Sequence, residues 1–67
     1  MKVFNVVKQL REDRNLSQKD LAEALEVSRQ TIHAIEKGKY NPSLELSLCI
    51  AKYFETSIEN IFYLEER

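Results

Sequence analysis

Cysteine and histidine, which stabilise many small proteins through disulfides and metal sites, are scarce in this sequence. There is one cysteine, Cys49, so an internal disulfide is excluded, and one histidine, His33. A lone Cys and a lone His fall short of the ligand set of a structural zinc site. No apolar run approaches the roughly 18 residues of a membrane span, and the first residues lack the pattern of a signal peptide. We therefore expect a cytoplasmic protein with no metal, no cofactor and no membrane association.

Catalytic patterns are missing as well. The sequence shows no nucleophile paired with a base, and no paired carboxylates in a defined pocket can be predicted from it. Its single glycine, Gly38, excludes a glycine-rich phosphate loop. A chain of this length also leaves little volume for a substrate cleft. We expect no enzymatic activity.

The short length limits how the chain can be stabilised. Its 67 residues predict a single domain, 1–67. With 43% hydrophobic and 31% charged residues, the composition is that of a folded soluble domain. A domain of this size buries only about 60% of its unfolded surface. Because neither a disulfide nor a metal is available, close helix packing or a second subunit must supply the stability.

The net charge is only −1, but the charges are unevenly distributed. Residues 1–42 carry eight positive and six negative side chains, a net charge of +2. Residues 43–67 carry two positive and five negative side chains, a net charge of −3. A nucleic-acid-binding domain is usually basic. A nucleic acid would therefore have to contact the first segment, with the acidic segment directed away from it.

Hydrophobic spacing and capping residues predict an all-α domain of five helices. Ser17 and Asp20 form the pattern of a capping box, and Ser28 and Ser43 are placed to cap later helices. The predicted helices are 5–14, a second from the Ser17 cap to a break at 26–28, a third from Ser28 to about Lys37, 44–54, and a short one after Thr56 or Ser57. The apolar chain ends, 2–4 and 62–65, are too short to stand alone and could pair as two edge strands.

The second and third predicted helices, with the break between them, have a helix-turn-helix arrangement over 17–37. In such an arrangement the second of the two helices enters the major groove of DNA. With Ile32 and Ile35 turned inward, Arg29 and Gln30 remain exposed. Arginine can form two hydrogen bonds to guanine, and glutamine can form two to adenine.

The sequence resembles the XRE-type helix-turn-helix regulators, which are related to the Cro and phage repressor DNA-binding domains. The matching stretches are Leu10-Arg11-Glu12, Leu16-Ser17-Gln18, Leu21-Ala22, Val27-Ser28-Arg29-Gln30-Thr31-Ile32, Ile35-Glu36-Lys37-Gly38 and Tyr40-Asn41-Pro42-Ser43-Leu44. Their order and spacing extend the resemblance over almost the whole chain. One departure is Glu26, at a turn position usually held by glycine, where a positive φ would carry some cost.

The resemblance implies a five-helix domain that dimerises on a palindromic operator, and it implies the residues that contact DNA. The predicted DNA-binding set is Gln18, Ser28, Arg29, Gln30, Thr31, His33, Lys37, Lys39, Tyr40 and Asn41. The family also implies a structural salt bridge between Arg11 and Glu36. His33 is weighed as a groove contact or a simply exposed residue rather than as a metal ligand, because no second ligand accompanies it.

Apolar residues of the acidic end predict a dimerisation region at 43–67. The predicted interface residues are Ile50, Tyr53, Phe54, Ile58, Ile61, Phe62, Tyr63 and Leu64. The leading hypothesis is a sequence-specific double-stranded DNA-binding transcriptional regulator, a repressor that acts as a homodimer. The alternative is an antitoxin-like or other protein-interaction module whose acidic end binds a partner protein.

Overall fold

The computed structural model describes residues 2–65 and contains four α-helices and a two-stranded sheet. The elements, in chain order, are β1 Val3–Asn5, α1 Val7–Asp13, α2 Gln18–Leu25, α3 Arg29–Glu36, α4 Leu44–Tyr53, a 3₁₀ turn Ile58–Asn60 and β2 Phe62–Leu64. The prediction of five helices was wrong, because the last one is a single 3₁₀ turn that leads directly into β2. Glu66 and Arg67, part of the predicted dimerisation region and acidic end, lie outside the described residues.

Three serine side chains begin helices as the sequence predicted. Ser17 and Asp20 form the capping box: Ser17 Oγ accepts from the Asp20 N–H at 2.9 Å, and Asp20 Oδ2 accepts from the Ser17 N–H at 3.0 Å. Ser28 Oγ accepts from the Thr31 N–H at 3.0 Å, and Ser43 Oγ accepts from the Leu46 N–H at 3.1 Å. Each bond satisfies a backbone donor that has no partner within its helix.

Residues in the left-handed backbone conformation follow each of the four α-helices. Asn15 has φ 58°, Glu26 has φ 59° and Gly38 has φ 76°. The positive φ at Glu26 confirms the expectation that this residue occupies a position suited to glycine. Glu55, with φ 57°, repeats the conformation after α4 and was not predicted.

The core lies where the four α-helices and the last turn meet. Its fully buried members are Val7, Leu21, Ile32, Ile35, Ile50 and Ile61, with Ala22, Ala51 and Phe54 almost fully buried. At roughly 25 cal/mol per Å² of apolar surface, this small cluster supplies the main favourable term in folding. Ile32 and Ile35 anchor α3 in the core, which directs the opposite face of α3 outward.

The two chain ends pair as an antiparallel sheet, which confirms the predicted strand pairing. Phe4 lies opposite Tyr63 in the register, and their rings stack with centroids 5.8 Å apart. The predicted first helix began at Asn5, but in the structure Asn5 belongs to β1 and α1 begins at Val7. Asn5 Oδ1 accepts from the Val7 N–H at 3.0 Å and Asn5 Nδ2 donates to the Ile35 carbonyl at 3.0 Å, so Asn5 joins the sheet to α1 and α3.

The predicted dimer interface needs correction, because three of its members are core residues. Ile50 and Ile61 are completely buried within the protomer, and Phe54 is almost so. They fill the space between α4, α2 and the 3₁₀ turn and have no surface to offer a second subunit. Tyr53, Ile58 and Phe62 are half-buried, whereas Tyr63 and Leu64 are exposed.

The exposed apolar residues of α4 lie outside the predicted interface. Leu44 is 72% exposed and Leu48, one turn later, is 53% exposed. Apolar residues therefore lie on two sides of α4: Ile50 and Ala51 pack in the core, whereas Leu44 and Leu48 face solvent. Within residues 2–65, no helix has the length and apolar character needed to cross a bilayer.

Candidate nucleic-acid interface

The helix-turn-helix comprises α2 and α3, which pack closely against each other. Burial of Ile32 and Ile35 fixes the rotation of α3 about its axis. As a result Arg29, Gln30 and His33 are all exposed. Positions three and four residues apart share a helix face, so His33 lies beside both Arg29 and Gln30.

Four of the sequence-predicted residues meet in one open depression. It is lined by Gln18 from the start of α2 and by Arg29, Gln30 and His33 from α3. The guanidinium group is a donor only, whereas amide groups and the imidazole can both donate and accept. Groups of these kinds can form hydrogen bonds with the donors and acceptors that base edges present in a major groove.

An ion pair lies directly behind this depression. Arg11 Nε donates to Glu36 Oε2 at 2.7 Å and Arg11 Nη2 donates to Glu36 Oε1 at 3.2 Å. Arg11 Nη1 also donates to the Leu16 carbonyl at 2.8 Å. The two side chains are only 11% and 3% exposed. The salt bridge implied by the family resemblance is therefore present, and it joins α1 to α3.

The surroundings of Glu36 keep its carboxylate ionised. Burial acts to raise the pKa of Glu36, but hydrogen bonds from Arg11 and Gln18 and the positive charges of Arg11 and Lys8 outweigh it. The pKa of Glu36 consequently lies below its ordinary value. The hydrogen bond to Glu36 in turn raises the pKa of Arg11, although burial opposes this.

Gln18 connects the ion pair to the exposed surface. Its Nε2 donates to Glu36 Oε1 at 3.0 Å and lies 3.3 Å from His33 Nδ1. Gln18 is thus held in place from behind by a buried carboxylate. The sequence predicted that Gln18 contacts DNA, but it predicted neither the contact with Glu36 nor that with His33.

A second depression, next to the first, contains two lysines, of which only one was predicted from the sequence. It is lined by Lys8, Arg11, Gln18, His33, Glu36 and Lys37. Lys37 was predicted to contact DNA, whereas Lys8 of α1 was not. The signal was available, because Lys8 lies three residues before Arg11 and therefore on the same helix face.

The other predicted residues lie at the start of α3 and in the loop between α3 and α4. The Ser28 hydroxyl caps α3 and lies 2.8 Å from the Thr31 hydroxyl, so these two side chains are already hydrogen-bonded to each other. Tyr40 and Thr31 line a separate depression with the turn residues Glu26 and Val27. Lys39 and Asn41 are exposed in the loop between α3 and α4.

Among residues 2–65, no group of three or more His, Cys, Asp or Glu side chains is arranged to hold a metal ion. The exposed groups beside α3 are hydrogen-bond donors and acceptors with a local excess of positive charge. Chemically, such a surface can hydrogen-bond base edges and attract phosphate.

The chain is similar to helix-turn-helix proteins in sequence and in fold. A helix-turn-helix family model matches residues 7–61. An uncharacterised helix-turn-helix-type transcriptional regulator of Methanocaldococcus jannaschii is 58% identical over 62 residues, which cover 92% of this chain and 94% of that protein. The helix-turn-helix-type transcriptional activator BcrR of Enterococcus faecalis is 43% identical over 60 residues, which cover 90% of this chain and 29% of the activator.

A solved structure is similar over most of its length. The restriction-modification controller protein C.AhdI from Aeromonas hydrophila superposes with a TM-score of 0.73 at 28% identity, covering 81% of this chain and 82% of that chain. The match of the family model to most of the chain, together with the close relative, shows the family. The chain belongs to the XRE-type helix-turn-helix family of DNA-binding transcriptional regulators.

Proposed function

We propose that this domain binds double-stranded DNA sequence-specifically by inserting α3 into the major groove. The observation that carries the proposal is the depression in which Gln18, Arg29, Gln30 and His33 converge. Arg29 is the candidate for a two-bond contact with guanine and Gln30 for one with adenine. Both are exposed and belong to the first turn of α3, the part of such a helix that approaches bases.

Phosphate contacts would come from the cations and polar groups around that depression. Lys8 and Lys37 flank Gln18 on one side. Lys39 and Asn41 extend the surface through the loop after α3, and Ser28, Thr31 and Tyr40 lie at its other end. With a net charge of only −1 on the whole chain, non-specific attraction to DNA is weak. Discrimination therefore rests on a few base contacts.

The operator would be palindromic and the protein a homodimer, with the two recognition helices about 34 Å apart on one face of the DNA. The exposed apolar residues of β2 support the proposal, since Tyr63 is 50% exposed and Leu64 is 52% exposed. Phe4, stacked on Tyr63, extends the same sheet face. A bound dimer represses by occupying the groove that another protein needs, and it acts where the chromosome lies, in the cytoplasm.

Substitution of Arg29 tests the base-contact assignment. After duplexes have been selected from random sequence with the wild-type protein, Arg29→Ala should weaken binding by about 1 to 3 kcal/mol and lose preference at one base pair. Lys39→Ala is the matched control, because loss of a phosphate contact weakens all sequences alike. Binding isotherms on the selected duplex and on a scrambled one separate the two effects. Unchanged sequence preference in both Arg29→Ala and Gln30→Ala would contradict the assignment.

A further inference from the structure

One ring nitrogen of His33 contacts another side chain of the protein. Nδ1 lies 3.3 Å from Gln18 Nε2. The other ring nitrogen, Nε2, takes part in none of the side-chain hydrogen bonds among residues 2–65, and the residue as a whole is exposed. Which of the two nitrogens carries the proton of the neutral ring decides whether His33 offers DNA a donor or an acceptor.

The buried ion pair fixes the orientation of the Gln18 amide. Gln18 Nε2 lies 3.0 Å from Glu36 Oε1, and an ionised carboxylate only accepts hydrogen bonds. If the amide were turned over, its carbonyl oxygen would face that carboxylate, and two acceptors would oppose each other. Because Arg11 keeps Glu36 in its ionised form, the amide nitrogen must face Glu36.

The orientation of Gln18 then determines the protonation of His33. An amide nitrogen carries two N–H donors and accepts no hydrogen bond. With the first N–H used for Glu36, the second remains to be donated to His33 Nδ1, which lies 3.3 Å from the amide nitrogen. That nitrogen must accept, so it carries no proton, and the proton of the neutral ring is held on Nε2.

We propose that His33 is a specificity-determining residue that offers DNA an Nε2–H donor, and that Gln18 and the Arg11–Glu36 ion pair are positioning residues that set its tautomer. The proposal rests on the proposed function, because it assumes that α3 contacts DNA. The partner is a hydrogen-bond acceptor. In the major groove that is N7 of a purine, O6 of guanine or O4 of thymine, and on the backbone it is a phosphate oxygen.

The first test needs no DNA. Because His33 is the only histidine in the sequence, a tag-free protein gives a single set of imidazole signals. In ¹⁵N spectra recorded where the ring is neutral, we expect the proton on Nε2 alone. Gln18→Ala should produce a mixture of both tautomers. Gln30→Ala, which removes the other glutamine of the same depression, should leave the wild-type spectrum unchanged.

A wild-type ring protonated on Nδ1, or a spectrum unaffected by Gln18→Ala, would overturn the proposed control of the tautomer. Since this measurement uses the free protein, its outcome does not depend on whether the domain binds DNA. The two proposals can therefore fail separately.

The second test uses a matched pair of substitutions at His33. The amide of His33→Gln can place an N–H close to the position of Nε2, whereas the shorter His33→Asn places its amide near Nδ1. We expect His33→Asn to lose about three- to tenfold in affinity for the selected duplex, the value of one hydrogen bond, and His33→Gln to keep most of it. Equal loss in both variants, or no loss in either, would overturn the donor role.

Sequence selection with His33→Asn distinguishes the two kinds of acceptor. Relaxed preference at a single base pair identifies a base edge as the partner. Uniformly weaker binding with an unchanged preferred sequence identifies a phosphate oxygen.

Discussion

The domain has a first half, residues 2–42, which contains the helix-turn-helix, and a second half, residues 43–65. The two halves expose different kinds of surface. In the first, polar side chains gather around α3, and Gln18 is held from behind by the buried carboxylate of Glu36. In the second, Leu44 and Leu48 of α4 and the strand β2 expose apolar side chains instead. Hydrogen-bonding groups confer discrimination between ligands, whereas exposed apolar surface favours association with another protein surface.

The two halves share one hydrophobic core. Ile32 and Ile35 of α3 pack in the same cluster as Ile50 and Ile61. Arg14, at the end of α1, adds a polar link, because its guanidinium donates to the carbonyls of Tyr53 and Phe54 at 3.3 and 3.2 Å. The second half therefore helps to hold α3 in its orientation.

The largest change in stability is expected from a substitution in the core of the second half, and it can be compared with a substitution in the predicted interface. Ile50→Ala should lower the free energy of unfolding by about 2 to 5 kcal/mol, because it leaves a cavity in the core. Tyr63→Lys should cost at most about 1 kcal/mol of stability, the value of a cross-strand pair, while weakening self-association. Urea denaturation and sedimentation at several protein concentrations measure the two quantities.

Leu48→Lys is the control for that comparison, since Leu48 is exposed but lies outside the predicted interface. It should leave self-association unchanged. A monomeric wild-type protein at micromolar concentration, or dissociation caused by Leu48→Lys alone, would contradict the proposed use of β2.

Protonation of Glu36 at acid pH should lower the free energy of unfolding, because it breaks the ion pair of the first half. The pKa of this carboxyl is lowered in the folded protein, so its contribution to stability is present above the unfolded pKa, about 4.3, and is lost as the pH falls through the folded value. The free energy of unfolding should therefore fall below about pH 4.3. Glu36→Gln, already uncharged, should show a shallower decline in the same denaturation series. An identical slope in both proteins would show that the ion pair contributes nothing to the pH dependence.

The smallest expected effect concerns the left-handed turn between α2 and α3. Glu26→Gly should raise the free energy of unfolding by about 0.5 to 1 kcal/mol, because a side chain at φ 59° carries a steric cost that glycine avoids. Gly38→Ala is the opposite test. Within residues 2–65, no heavy atom beyond the two chain neighbours of Gly38 lies within 4 Å of the added Cβ, so any loss of stability reports the backbone conformation alone. Thermal denaturation of both variants measures the effects, and destabilisation by Glu26→Gly would contradict this account.

Local signals in the sequence were sufficient for much of the fold. Ser17, Ser28 and Ser43 marked where helices begin, and Gly38 marked where α3 ends. Each of these features depends on residues within one helical turn, so the sequence alone contains the physical cause. The strand pairing of the chain ends was also predicted, from two short apolar segments that needed a partner.

Features that depend on contacts distant in sequence could not be predicted in the same way. The first helix was predicted to begin at Asn5, yet pairing of Asn5 with Phe62, distant in sequence, places Asn5 in β1. The apolar pattern alone could not distinguish Ile50 and Ile61, which fill the core, from residues that face a partner. The bonds from Gln18 to Glu36 and His33 likewise appear only when α2 and α3 are packed together.

We infer that the exposed face of α3, with Gln18, contacts DNA, while the apolar surface of the second half does not. Titration of ¹⁵N-labelled protein with its selected duplex tests this most directly. We expect the largest chemical-shift changes at Gln18, Arg29, Gln30 and His33, with little change at Leu48. Changes centred on α4, with the signals of Arg29 and Gln30 unaffected, would contradict it.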